Sequence, residues 1–274
     1  MKPAYGQHER NGPRMVVDAH VHVCVMDTER YPFAPLLGYT PRAAAPVEAL
    51  IARMAECELD AAVLVQPSYY GYDNRYLQES LSRYPDCLRG VGLADPFPPA
   101  GTAHRLPDGC VGVRLNAIGH PGSGWLWRTA AAGFWAAAEE RGLVVCAQCA
   151  PDQVLEWAAV AAAHPGVRCV IDHLGRGAWD DLGAAAALPN TFLKVSGVAA
   201  CSAEAYPHRD VWPAALRAVE AFGPERCLWG SDASSVDLAA CRAQVELWRD
   251  LVPLGAAERA CVMGGTASAL FFGA

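Results

Sequence analysis

The sequence predicts a single α/β domain with the (β/α)8, TIM-type barrel architecture, and three observations predict it. Eight short apolar runs recur along the chain, most of them followed by a stretch with helical spacing and punctuated by Gly or Pro. Strands that alternate with helices form right-handed βαβ units around a parallel sheet, and eight units in about 250 residues is barrel size. Polar residues also collect at the ends of the runs, where a barrel gathers its chemistry. A doubly wound sheet would want a Gly-rich phosphate turn after its first strand, and here that place reads His20-Val21-His22-Val23.

The first run, Val16–His22, delivers two imidazoles. Residues two apart on a strand share a face, so Asp18, His20 and His22 are expected on one side and Val17, Ala19 and Val21 on the other. A loop over 24–45 follows, and Pro46 opens a helix with Val47, Leu50, Ile51 and Met54 on one face. The second strand is 60–66. Asp73 or Asn74 is expected to cap a helix running to Tyr84. The third and fourth strands are 88–94 and 111–116, with little helical pattern between them.

Alternation then becomes regular. Helix 129–141 precedes strand 143–148, helix 152–164 precedes strand 168–173, and a weaker helix near 179–188 precedes strand 191–196. Helix 211–222 ends at Gly223-Pro224 before strand 227–232, and helices at 236–251 and 256–270 close the chain. Residues 1–14 read as a flexible polar tail and 15–274 as the barrel.

A formal charge of −7 argues against nucleic acid and anionic membranes as partners. The first residues carry no signal-peptide core, and no window approaches the roughly 18 apolar residues of a membrane span. The eleven cysteines, an odd count scattered through strands and helices, read as reduced thiols of a cytoplasmic protein. Cys146 and Cys149 have C-x-x-C spacing, but in a strand interior they face opposite ways, which suits neither redox chemistry nor zinc. A small-molecule substrate is expected, and homo-oligomer formation stays open.

Strand ends supply the candidate site: His20 and His22; Gln66 and Ser68; Arg114 and Asn116; Gln148; Asp172 and His173; Lys194 and Ser196; Asp232. His20, His22, His173 and Asp232 form a nitrogen and carboxylate set around one mouth. Such a set can hold a metal that activates water, or can work without one, with imidazoles polarising a carbonyl while Asp232 deprotonates water. Asp232 could also simply cap a helix. Arg114 suits a carboxylate anchor, or a salt bridge to a helix acid. Asp172 reads as structural, Lys194 as either anion binder or solvated residue, and His208, following the seventh strand, as a pocket candidate.

Val17-Asp18-Ala19-His20-Val21-His22, Ile171-Asp172-His173-Leu174-Gly175 and Leu228-Trp229-Gly230-Ser231-Asp232 resemble strand signatures of the amidohydrolase superfamily, in its amidohydrolase-2 branch. Within it, Gly38-Tyr39-Thr40-Pro41, Val65-Gln66-Pro67-Ser68 and Gly112-Val113-Arg114-Leu115-Asn116 are most similar to the 2-pyrone-4,6-dicarboxylate lactonases and related sugar lactonases. The resemblance runs from about Val16 to the C-terminus. It implies a hydrolase of a lactone or similar acyl group, with Asp232 as base and His20, His22 and His173 orienting and polarising the carbonyl. Arg114, Tyr39 and Ser68, with Tyr206 a weaker match, would contact substrate.

The bridging lysine and strand-five histidine of binuclear relatives are lacking, so the resemblance implies no cofactor, or one zinc or manganese held by His20, His22 and Asp232. Where the lactonases carry basic residues, the stretch 117–128 is Gly/Trp-rich. With Tyr69, Tyr70, Tyr72, Trp125 and Trp127 near the mouth, the expected substrate bears a carboxylate and apolar or aromatic character. A metal-dependent decarboxylase on the same barrel is the alternative, and a non-catalytic binding barrel the remaining one.

Overall fold

Eight parallel strands form one sheet in chain order, β1 to β8. They are β1 Val17–Val21, β2 Ala61–Val65, β3 Leu88–Leu93, β4 Gly112–Leu115, β5 Val144–Ala147, β6 Arg168–Ile171, β7 Thr191–Val195 and β8 Cys227–Trp229. The computed structural model describes residues 15–97, 107–119, 131–233 and 237–273. The expected tail, part of the connection between β3 and β4, and His8, His104, His120, Trp125 and Trp127 lie outside the described residues. Among the described residues, β8 and β1 share no ladder. The barrel is joined there by the Asp232 amide donating to the His20 carbonyl (2.9 Å).

The helices wrap the outside: α1 Val47–Glu56, α2 Arg75–Arg83, α3 Ala131–Glu140, α4 Val154–Ala163, α5 Leu182–Ala186, α6 Trp212–Phe222, α7 Leu238–Glu246 and α8 Ala256–Ala260. The alternating register predicts two apolar layers, and both are present. Ala61, Val63, Val65, Val144, Cys146, Val170 and Leu228 fill the barrel, while Leu64, Val113, Val145, Ile171 and Leu193 face Leu50, Met54, Trp157 and Phe222 of the helices. Ala267, Leu270 and Phe271 join the inner cluster. Arg168, at the start of β6, donates to the Leu270 carbonyl (3.4 Å), so the chain end covers the N-terminal mouth of the barrel. The opposite mouth is left for function.

One expectation needs correction, and two are made more specific. The pairing of β1 with β2 shifts register between Asp18 and Val21, which breaks the simple alternation. Val17 and Ala19 therefore pack inside the barrel, and Asp18 does not share a face with His20. Its carboxylate is held instead by Arg53 of α1 (3.2 Å) and by the backbone and hydroxyl of Ser231 (2.9 and 2.5 Å). Of the two expected caps of α2, Asp73 serves, its carboxylate accepting from the Arg75 amide (3.1 Å), while the Asn74 side chain spans to the Leu93 amide and carbonyl (2.9 and 2.8 Å), fastening the end of β3. The last two helices end about where their apolar pattern suggests, but their later turns are wide, at 247–251, 261–265 and 268–272, and the second is kinked at Gly264.

Gly230 leaves room for His20 where β8 meets β1. A Cβ there would stand 2.7 Å from the His20 Cβ and 2.9 Å from its amide nitrogen. Gly230→Ala is therefore expected to push β1 and β8 apart and cost about 1–3 kcal/mol. A urea melt against wild type checks this, and an unchanged midpoint would mean the strands yield freely.

The cysteines are all free. Cys146 lies in the barrel interior and Cys149 in the outer layer, so the C-x-x-C spacing brings no pair together. Burial pushes the Cys146 thiol up to about 11, away from nucleophilic use.

Candidate active site at the C-terminal mouth

Asp232, just beyond β8, stands under three imidazoles. His20 Nε2 and His22 Nε2 each lie 3.6 Å from its Oδ1, and His173 Nδ1 lies 3.8 Å from Oδ2. Left-handed backbone sets two of these side chains: φ is 56° at His173 and 53° at Asp232. Strand parity alone would send His173 outward, because Val170 and Asp172 face in, and the reversal of the backbone turns it back. His20 and His173 are buried, while the Asp232 side chain keeps 33% of its surface open to the mouth.

Beneath the imidazoles lies a buried charge cluster. Lys194, fully enclosed, places Nζ 3.1 Å from Asp172 Oδ1 and 3.3 Å from His20 Nδ1. Arg114 donates from Nε to Asp172 Oδ2 (2.8 Å) and from Nη2 to His173 Nε2 (3.3 Å). Burial alone would raise the Asp172 carboxyl, but Lys194 and Arg114 hold it well below the usual carboxylate range. Burial, with the Lys194 ammonium, holds His20 well below its ordinary value. Burial likewise lowers His173, with Arg114 and Lys194 contributing, although Asp232 and Asp172 pull the other way. At Asp232 burial opposes ionisation, yet His173, His22 and His20 bring the carboxyl below its ordinary value.

These contacts determine which ring nitrogens carry protons. An ammonium and a guanidinium only donate, so His20 Nδ1 and His173 Nε2 accept. The neutral rings then carry their protons on His20 Nε2 and His173 Nδ1, the nitrogens that face Asp232. His173 Nδ1 also has Ser196 Oγ at 3.0 Å. His22 is the reverse case. Its Nδ1 lies 2.7 Å from the Val65 carbonyl, which only accepts, so the lone pair is on Nε2.

The same logic tests a metal. Atoms of His20, His173 and Asp232 lie within 4.8 Å of one another, close enough to share an ion. This trio has His173 where the sequence suggests His22. The donor set does not fit it as arranged: a ligating imidazole passes its other N–H to a carboxylate or carbonyl, whereas here both far nitrogens face cations at 3.3 Å, with the Asp172 carboxylate farther from His20 Nδ1 at 3.6 Å. Only His22 has the arrangement of a ligand.

The remaining candidates divide. Arg114 is not free to anchor a substrate carboxylate, because Asp172 and His173 already take it and it is 3% exposed; its partner is a strand carboxylate rather than a helix acid. Asp172 faces inward and is the counter-ion of the cluster, and Lys194 is not solvated. Tyr39 and Ser68 meet, the serine hydroxyl donating to the phenol oxygen (3.0 Å). Asn116 and Gln148 lie at adjacent strand ends and hold unpartnered polar atoms. Tyr206 and His208 have partners of their own: Tyr206 donates to Glu246 of α7 (2.7 Å) and His208 lies 2.9 Å from the Glu204 carbonyl.

Of the expected rim aromatics, Tyr69 and Tyr70 are instead buried, and the Tyr70 hydroxyl bridges the amide and carbonyl of Val25. Tyr72 is exposed. Lys194 is the residue the sequence left undecided. Its signal was a lysine between Phe192–Leu193 and Val195 in an apolar strand, two places from Ser196 on the same face.

Residues 17–273 match the profile of the family described as Amidohydrolase. No curated protein matches the chain. Among solved structures, the fold is similar to a protein from Acinetobacter baumannii assigned as a 2-pyrone-4,6-dicarboxylic acid hydrolase, with citric acid bound. The identity is 23%, over 94% of this chain and 99% of that one, with a TM-score of 0.76. An amidohydrolase from Burkholderia multivorans with bound zinc is 24% identical over 93% of this chain and 98% of that one, TM-score 0.72. A 5-carboxyvanillate decarboxylase from Sphingomonas paucimobilis is 14% identical over 95% and 99%, TM-score 0.66. Among the described residues, no helix is long and apolar enough to cross a membrane.

Proposed function

The chain belongs to the amidohydrolase family, and from that premise we propose that it hydrolyses a lactone or related acyl ester, with Asp232 as the base that activates water. The observation that carries this reading is the ionised, partly open Asp232 carboxylate beneath three imidazoles of defined proton placement. Asp232 Oδ1 and His22 Nε2 both accept, so a water can give one hydrogen to each and turn its lone pair toward an acyl carbon. His20 Nε2–H and His173 Nδ1–H are donors that can stabilise the carbonyl oxygen as it gains charge.

In the balanced step, water oxygen bonds to the acyl carbon and one water proton passes to Asp232. The ring C–O bond then breaks, and Asp232 returns the proton to the leaving alkoxide. The product is a hydroxy acid. The zinc-bound relative makes a divalent metal the competing requirement, and the proton pattern of His20 and His173 argues for working without it.

A pH-stat assay against a lactone panel, with and without excess EDTA, tests the reading. Acid release that is insensitive to chelator is expected. Carbon dioxide release from aromatic acids, restored by added zinc or manganese, would replace the hydrolase with a decarboxylase.

A further inference from the structure

We propose that Asn116 and Gln148 form a subsite for an uncharged hydroxyl group of the substrate, so that the acyl substrate carries a hydroxyl, and no carboxylate, beside its scissile bond. The inference rests on the hydrolase reading for its substrate, and on the structure for its subsite. Asn116 follows β4 two residues after Arg114, whose guanidinium reaches Asp172 and His173, and so shares its inward face. Gln148 follows β5 two residues after the interior Cys146. Leu115 pairs with Ala147 and the Gln148 amide donates to the Leu115 carbonyl (3.0 Å), so the two amide side chains leave adjacent strand ends side by side.

Asn116 is 94% buried, being 6% exposed, yet neither its Oδ1 nor its Nδ2 has a partner, and the Gln148 Oε1 is likewise unpartnered. An interior amide without a partner is costly, and the Asn116 amide with the enclosed Gln148 oxygen at the neighbouring strand end marks a position that a ligand completes. Because both atoms of the Asn116 amide are free, the assignment of oxygen and nitrogen does not matter. The pair offers at least two acceptors and a donor. A hydroxyl both donates and accepts and satisfies such a pair, whereas a carboxylate only accepts and would face amide oxygens.

The charges point the same way. Lys194 and Arg114 both pair with Asp172, and Asp232 adds a second negative charge among the imidazoles, so the described buried groups at this mouth carry no net positive charge for a carboxylate. This departs from the carboxylate-bearing substrate expected from sequence, for which Arg114 was the candidate anchor.

The test uses three probes on one ring: γ-butyrolactone, its α-hydroxy derivative and its 5-carboxylate derivative. Ring opening should favour the hydroxy probe over the plain ring by about tenfold or more, and over the carboxylate by a larger factor. Asn116→Leu should bring the hydroxy-to-plain ratio to near one, and Asn116→Gln should keep part of it. Side-chain amide signals of Asn116 and Gln148 in nitrogen-labelled protein should move with the hydroxy probe and stay fixed with the plain ring. If no probe is opened but those signals move, the hydrolase reading falls and the subsite stands. Preference for the carboxylate, or fixed amide signals with the hydroxy probe, would overturn the subsite.

Discussion

Replacing Asp232 by Asn is expected to lower kcat by about a thousandfold or more while the protein stays folded and still binds its substrate. The amide has the shape of the carboxylate but cannot take the proton of an attacking water. Asn also tolerates the left-handed backbone, so the φ of 53° at this position carries no new strain. The link that joins β8 to β1 uses the backbone amide of residue 232, which the substitution leaves in place. The check is a single-turnover assay beside a thermal melt and a ligand-induced shift of the melt. Activity within tenfold of wild type would move the base to another group. Loss of binding together with turnover would make Asp232 an anchor instead.

Replacing Lys194 by Met is expected to lower kcat by about a hundredfold, to destabilise the protein by roughly 3 kcal/mol and to create affinity for zinc. The stability loss follows from removing one partner of a fully buried pair, the lower end of the usual range because Arg114 still faces Asp172. The gain in metal affinity follows from proton placement. Without the ammonium, His20 Nδ1 can carry the proton toward Asp172 Oδ1, 3.6 Å away, which moves the lone pair to Nε2 facing Asp232. His20 then has the carboxylate–imidazole arrangement of a metal ligand. Nitrogen NMR of the His20 ring reads the proton position directly, and calorimetry with zinc reads the affinity. A ring already protonated on Nδ1 in the wild-type protein would remove the basis of this expectation.

The barrel was legible because its signal is repeated eight times: apolar runs of strand length, each punctuated by Gly or Pro and most followed by helical spacing. His20, His22, His173 and Asp232 were legible because strand ends are where a barrel displays ionisable groups. The partners of those residues were not. Strand alternation assigned Asp18 to the wrong face because a register shift of β1 is a property of its pairing with β2, and no residue type announces it. It allowed one inward residue where there are two, Asp172 and His173, because a left-handed turn at His173 is not written in the alternation. Arg114 stayed open between substrate anchor and salt bridge because its counter-ion is 58 residues away, a distance at which sequence pattern carries no information.

The junction of β8 with β1 gives the molecule a mechanical property. Seven of the interfaces between neighbouring strands are laced by ladders, and the eighth is buckled by the His20 carbonyl, the Asp232 amide and the grip of Asp18 on Ser231. The buckle of the cylinder and the proton-handling pair thus belong to the same two residues, backbone in the one role and side chains in the other. Side-chain chemistry can be removed with the seam intact, but a seam that opens carries His20 and Asp232 apart with it.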